Sequence, residues 1–214
     1  MAELLPPDDD LELIHTRNYE TRVYFVSDEE LLVRGAVRDT KPAGLYVEDD
    51  PETLDIHEMH IELRVSLPAL TITAVEVLFE THPSAKCPHI TGHYDNLVGL
   101  SIARGFTHKV REFFGGPRGC THTTALLQAM APAVVQSVWS VNVRRMRNAA
   151  VSGESVGNES RDRMFAANLN TCHVWAEDGE HVASIRRGEL PPPPMQVVRR
   201  LEKLGRDPNS WRRR

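Results

Sequence analysis

Each of the three cysteines has a histidine within two residues of it: Cys87-Pro88-His89, Cys120-Thr121-His122 and Cys172-His173. Thiolate and imidazole are the ligands that Zn²⁺ and iron–sulfur clusters take. Cys87, Cys120, His122, Cys172 and His173 are therefore candidate metal ligands, for zinc or an iron–sulfur cluster. Spacing limits how they can act together. Adjacent side chains on a strand face opposite ways, and residues two apart on a helix are about 200° apart around its axis. Cys120 and His122 can converge only if Cys120 stands at a helix cap rather than inside the helix. There is no Cys-x-x-Cys pair, which would have been a strong metal or redox signature.

A second chemistry open to Cys120 is that of a reactive thiol. At a helix N-terminus, unpaired amides and the helix dipole favour a thiolate, and His122 is near enough in sequence to take its proton. The competing reading makes the cysteines small core residues, with Cys120 a cap residue helped by Thr121 or Thr123. His57 and His60 flank Glu58-Met59 just before a strand pattern and are subsidiary ligand candidates. Gly115-Gly116-Pro117-Arg118-Gly119 lacks the Lys-Ser/Thr ending of a phosphate-binding loop, and reads as a tight turn between helices.

The elements that must position these residues fall into two halves. Arg22–Val26 and Leu31–Val37 are rich in β-formers, with Ser27-Asp28-Glu29-Glu30 as a hairpin connection. In 59–67, Met59, Ile61, Leu63, Val65 and Leu67 alternate with polar residues, the period of a half-buried strand. Leu67-Pro68-Ala69-Leu70 turns the chain, and Thr71–Glu80 returns. After His82-Pro83 the spacing becomes helical over 94–102 and 107–114. A longer helix follows from near Cys120-Thr121 towards Ala150, with Leu126, Leu127, Met130, Val134, Val135 and Val138 as its apolar stripe. Pro132 should kink or interrupt it. Ser152–Asn158 reads as a linker, and 172–176 with 181–185 as a last pair of strands. Strands first and helices afterwards predict an α+β fold: an antiparallel β-meander, then a helical segment with one long helix. The expected organisation is a disordered acidic N-terminus over 1–10, a single α+β domain over 11–190, and a proline spacer with a basic C-terminal tail over 191–214.

With 41% hydrophobic residues in 214, the chain has enough apolar surface for a core, which excludes a wholly disordered protein. No uninterrupted apolar run approaches the roughly 18 residues of a membrane helix, and the Pro- and Asp-rich opening is unlike a signal peptide. With an odd cysteine count, these features predict a soluble protein of a reducing compartment, the cytoplasm, with no membrane partner. From Arg186 onward there are nine basic and three acidic residues, a net +6, which leaves −11 on the rest of a chain of net −5. An acidic body excludes broad nucleic-acid binding. The basic tail suits an acidic partner or a partner enzyme, or is a solvated terminus.

Leu13-Ile14-His15-Thr16-Arg17 and Val37-Arg38-Asp39-Thr40-Lys41-Pro42 resemble the opening of a bacterial family known only as a domain of unknown function. The likeness continues in order through Leu97–Ile102, Gly105-Phe106-Thr107, Gly119-Cys120-Thr121-His122 and Cys172-His173, over residues 11–190. Thr123 stands where the family's Gly-Cys-Thr-His element is followed by Leu. The order of strands, cysteine loop, helices and a cysteine opening a long helix also resembles iron–sulfur scaffold proteins of the IscU and SufE type. That resemblance implies roles for Cys87 and Cys120, while the scaffold's first cysteine is matched here only by His57 or His60. Three functions are thereby expected: a metal- or sulfur-handling accessory protein, a non-catalytic small-molecule-binding or protein-interaction module, and a thiol enzyme centred on Cys120.

Overall fold

The computed structural model describes residues 5–6, 10–103, 105–152, 165–166 and 168–213. Most of the acidic N-terminus and nearly all of the linker over 152–158 lie outside the described residues. The chain divides into two compact units, Met1–Val138 and Trp139–Arg214.

The first unit is built on a four-stranded antiparallel sheet in the order β1-β2-β3-β4: β1 (Thr16–Ser27), β2 (Glu30–Lys41), β3 (Leu54–Ser66) and β4 (Thr71–Thr81). This is the expected meander, with every strand longer than its β-rich stretch. Ser27 pairs with Glu30, so the first hairpin closes through Asp28-Glu29. Alternation decides which face is buried. Leu31, Val33 and Val37 of β2 and Met59, Ile61, Leu63 and Val65 of β3 are buried, whereas their neighbours carry cross-strand ion pairs such as Arg34–Glu62 and Arg38–Glu58. At roughly 1.5–3 kcal/mol for each fully buried aliphatic side chain, a register slip of one residue would expose this whole row.

The helical half covers the buried face. A 3₁₀ stretch over Cys87–Leu97 precedes α1 (Phe106–Phe114), and the long helix α2 (Thr121–Ser152) follows. Residues 94–102 are therefore not the α-helix their spacing predicts. Beyond Leu97 the chain extends, and the amide of Ile102 donates to Leu70 O while that of Ile72 donates to Leu100 O. Edge pairing with β4 outweighs helical periodicity there, because it satisfies strand groups that would otherwise be unpaired. Tyr94, Leu97, Phe106, Val110 and Phe114 are buried, as are Leu126, Leu127, Met130 and Val134 on α2. Helix α2 passes directly over β2 at Gly35, where a Cβ would stand 2.4 Å from Met130 Sδ. Pro132, on the exposed side, does not end the helix. By length and composition, Thr121–Ala149 is the one described helix able to cross a membrane. Counting only uninterrupted apolar runs overlooks it, because isolated polar residues leave the average hydropathy high.

In the second unit the expected strand pair is absent. His173–Trp175 is a 3₁₀ turn, and residues 180–186 form α3 (Glu180–Arg186). A five-residue apolar alternation does not distinguish strand from helix, and an isolated hairpin with no sheet to join is marginal. Here Val182 is buried on a helix face, and the Trp175 and His181 rings meet edge to face at 4.8 Å. The basic segment after the prolines forms α4 (Met195–Lys203).

Candidate functional site

The inward face of β2 runs Leu31, Val33, Gly35, Val37 and then Asp39, so a carboxylate occupies the next core position after four apolar or small residues. It is 1% exposed. Strand register supplies its neighbours: Arg17 of β1 is its cross-strand partner on one side and His57 of β3 on the other. The β2–β3 pairing shifts between Asp39 and Thr40, a local irregularity of the kind that re-aims side chains. Three strands therefore present guanidinium, carboxylate and imidazole in one row, and α2 brings His122 onto it.

Asp39 is held from several directions. Arg17 Nε donates to Oδ1 at 2.5 Å and Nη2 to Oδ2 at 2.6 Å, a bidentate pair of the strong, charge-assisted kind. His122 Nε2 lies 3.0 Å from Oδ2, and His15 Nε2 lies 3.5 Å from Oδ1. The Arg17 guanidinium holds the Asp39 carboxyl at about 2, against burial, which pushes it up. Arg17 is correspondingly raised by Asp39. A carboxylate ionised at neutral pH only accepts, so His122 carries its proton on Nε2 and donates it to Oδ2. Burial, and then repulsion from the neighbouring His57 ring, push His122 below the ordinary histidine value, which favours the neutral imidazole at pH 7. Its other nitrogen, Nδ1, is left as a lone pair.

That lone pair faces Cys120 Sγ at 3.7 Å. The residue stands immediately before α2, and its carbonyl accepts the Thr124 amide, closing the first turn. This is the cap position that the 200° argument requires for Cys120 and His122 to meet. Tyr94 fixes it: the Cys120 amide donates to Tyr94 Oη at 2.8 Å. Gly119 is needed beside it, since a Cβ there would lie 2.5 Å from Phe114 O.

His57 completes the cluster differently. Its ring stacks on that of His122, with centroids 3.9 Å apart. Nδ1 is buried and has no hydrogen-bond partner, although it lies 3.2 Å from Asp39 Oδ2. Asp39, His57 and His122 offer three ligand atoms within 4.8 Å of one another and could hold a metal ion. Of the residues marked by the sequence as ligands, His122 and the subsidiary candidate His57 belong to this group, and Cys120 adjoins it through His122 Nδ1. Cys87 opens the 3₁₀ stretch, half-buried, and is not in the group. Cys172, exposed, caps the 3₁₀ turn that His173 begins, both in the second unit. Asp39 and Arg17 were not among the candidates. The available signal was phase: Asp39 and His57 continue the period-2 rows of core residues on β2 and β3. A separate cavity of about 350 Å³ lies on the opposite, ionic face of the sheet, lined by Arg22, Tyr24, Arg34, Glu62 and Leu78 among others.

A family model described as "Protein of unknown function (DUF2889)" matches residues 15–136, more than half of the 214. The chain belongs to this family. The matched DUF2889 region begins at His15 and contains Arg17, Asp39, His57, Cys120 and His122, so the whole cluster lies in the part that defines membership. Neither a curated protein nor a solved structure matches the chain.

Proposed function

We propose that this DUF2889 protein is a sulfur-handling protein whose working group is the Cys120 thiol, with His122 as its proton acceptor and Asp39 as the residue that orients His122. The observation that carries this reading is the two-sided use of one imidazole: Nε2 at 3.0 Å from a carboxylate and Nδ1 at 3.7 Å from a thiol. A nucleophile, a base, and a third group that sets the base's tautomer form the constellation of nucleophilic catalysis. The chemistry is a transfer to sulfur. The thiol proton passes to His122 Nδ1, the sulfur lone pair forms a bond to an electrophilic sulfur or acyl centre, and the leaving group departs with its bonding pair and takes the proton back.

The test is site-resolved alkylation by iodoacetamide at pH 7, with Cys87 and Cys172 as internal references. Positioned acid–base partners contribute roughly 10²–10⁴ in rate, so His122→Asn and Asp39→Asn should each slow Cys120 at least tenfold and leave the reference cysteines unchanged. A Cys120 rate equal in all three proteins would refute the reading.

A second reading, metal handling, is favoured by one observation, the buried and unpaired Nδ1 of His57. Two imidazoles and one carboxylate are the donors of a zinc site with an open coordination position. An iron–sulfur cluster calls for thiolates, which this group of three does not supply.

A further inference from the structure

The lone pairs of one carboxylate oxygen explain why His57 is stranded. Asp39 Oδ2 has two to offer. Arg17 Nη2 takes one at 2.6 Å and His122 Nε2 the other at 3.0 Å. His57 Nδ1, 3.2 Å from the same atom, finds no acceptor capacity left, and a buried polar nitrogen without a partner is destabilising. The cluster is therefore complete for the thiol chemistry and incomplete for His57. A divalent cation would reverse this. It would take His57 Nδ1, with the His57 proton then carried on Nε2, together with His122 Nε2 and the second lone pair of Oδ2, three donors already within 4.8 Å of one another, and Arg17 could keep its own bond to Asp39.

We infer that the site binds a zinc-class divalent cation through Asp39, His57 and His122, and that cation loading and proton acceptance from Cys120 are mutually exclusive states of the His122 ring. The inference rests on the thiol and metal readings above and adds the link between them. A neutral imidazole has one N–H and one lone pair. When Nε2 gives its lone pair to the cation, its proton leaves for water and another enters at Nδ1, so the ring stays neutral. The nitrogen facing Cys120 Sγ then changes from acceptor to donor. A cation at this site withdraws the base from the thiol without touching the sulfur. The Arg17 charge beside Asp39 opposes a second cation, which suits reversible loading rather than a permanently bound ion.

The experiment uses the tag-free 214-residue chain, stripped by a chelator and titrated with Zn²⁺ alone. One saturable equivalent is expected, retained in Cys120→Ser and weakened at least tenfold in His57→Gln. In ¹⁵N-labelled protein the His122 ring proton should move from Nε2 to Nδ1 at saturation. The absence of a saturable equivalent, undiminished affinity in a folded His57→Gln, or a His122 proton still on Nε2 in the zinc-loaded protein would each overturn the inference. Should His57→Gln not fold, the ring-proton measurement on the unaltered chain decides alone. Failure here is distinguishable from failure of the thiol reading, which is judged on the stripped protein by whether Cys120 alkylation depends on His122.

Discussion

At the scale of single residues, Asp39 ties the site to stability. Its carboxyl is held at about 2 by Arg17, below an ordinary value of 3.8. A depressed folded-state value stabilises the fold above the unfolded value, and the contribution disappears as pH falls through the folded one. Asp39 should therefore contribute about 2 kcal/mol at neutral pH, unchanged down to pH 4 and lost between about pH 4 and 2. Urea unfolding across that range checks this. The Asp39→Asn variant should be less stable at pH 7 and lack this part of the acid dependence. An acid limb of the same height in the variant would assign it to other carboxylates, such as Glu58 beside Arg38, which is also lowered.

At the scale of elements, two glycines set where α2 lies and where it starts. A Cβ on Gly35 would meet Met130 Sδ at 2.4 Å, so Gly35→Ala should cost about 1–3 kcal/mol by overpacking. The partner atom belongs to a side chain, and Met130→Ala in the same molecule should recover part of the loss. Denaturation of the single and double variants measures that coupling. Gly119→Ala differs, because the obstacle is the Phe114 carbonyl and no side chain can yield. The variant should shift Cys120 off Tyr94 Oη, and its alkylation should lose the dependence on His122 even where thermal unfolding shows a folded protein. Retained dependence would mean that the helix start tolerates the displacement.

For the whole molecule, burial is unevenly shared. Among the described residues, the buried hydrophobic side chains of the first unit run from Leu31 to Val134, while Val141 and Val182 are the buried hydrophobic residues of the second. Local opening follows buried apolar contact and protected backbone. Amides of β2 and β3, each hydrogen-bonded on both sides, should exchange slowest, and those of α3 and α4 well before them. Hydrogen exchange resolved by peptide tests this, and equal protection of α3 and β2 would contradict it.

The meander was legible from one-dimensional pattern because alternation and turn residues act within a few positions. The long helix was legible because its apolar stripe recurs over many turns. Short segments were not: 94–102 pairs with β4 and 180–186 winds into a helix, decided by neighbours that no local pattern contains. At the site, sequence alone marked Cys120 and His122 and stated the condition for their meeting, a cap position, because helix geometry is local. That Asp39, rather than a second cysteine, stands on the far side of the His122 ring was decided by strand register and by the passage of α2 over Gly35. Those place residues 83 apart in the chain within a hydrogen bond, and such a contact is a property of packing that composition and spacing do not encode.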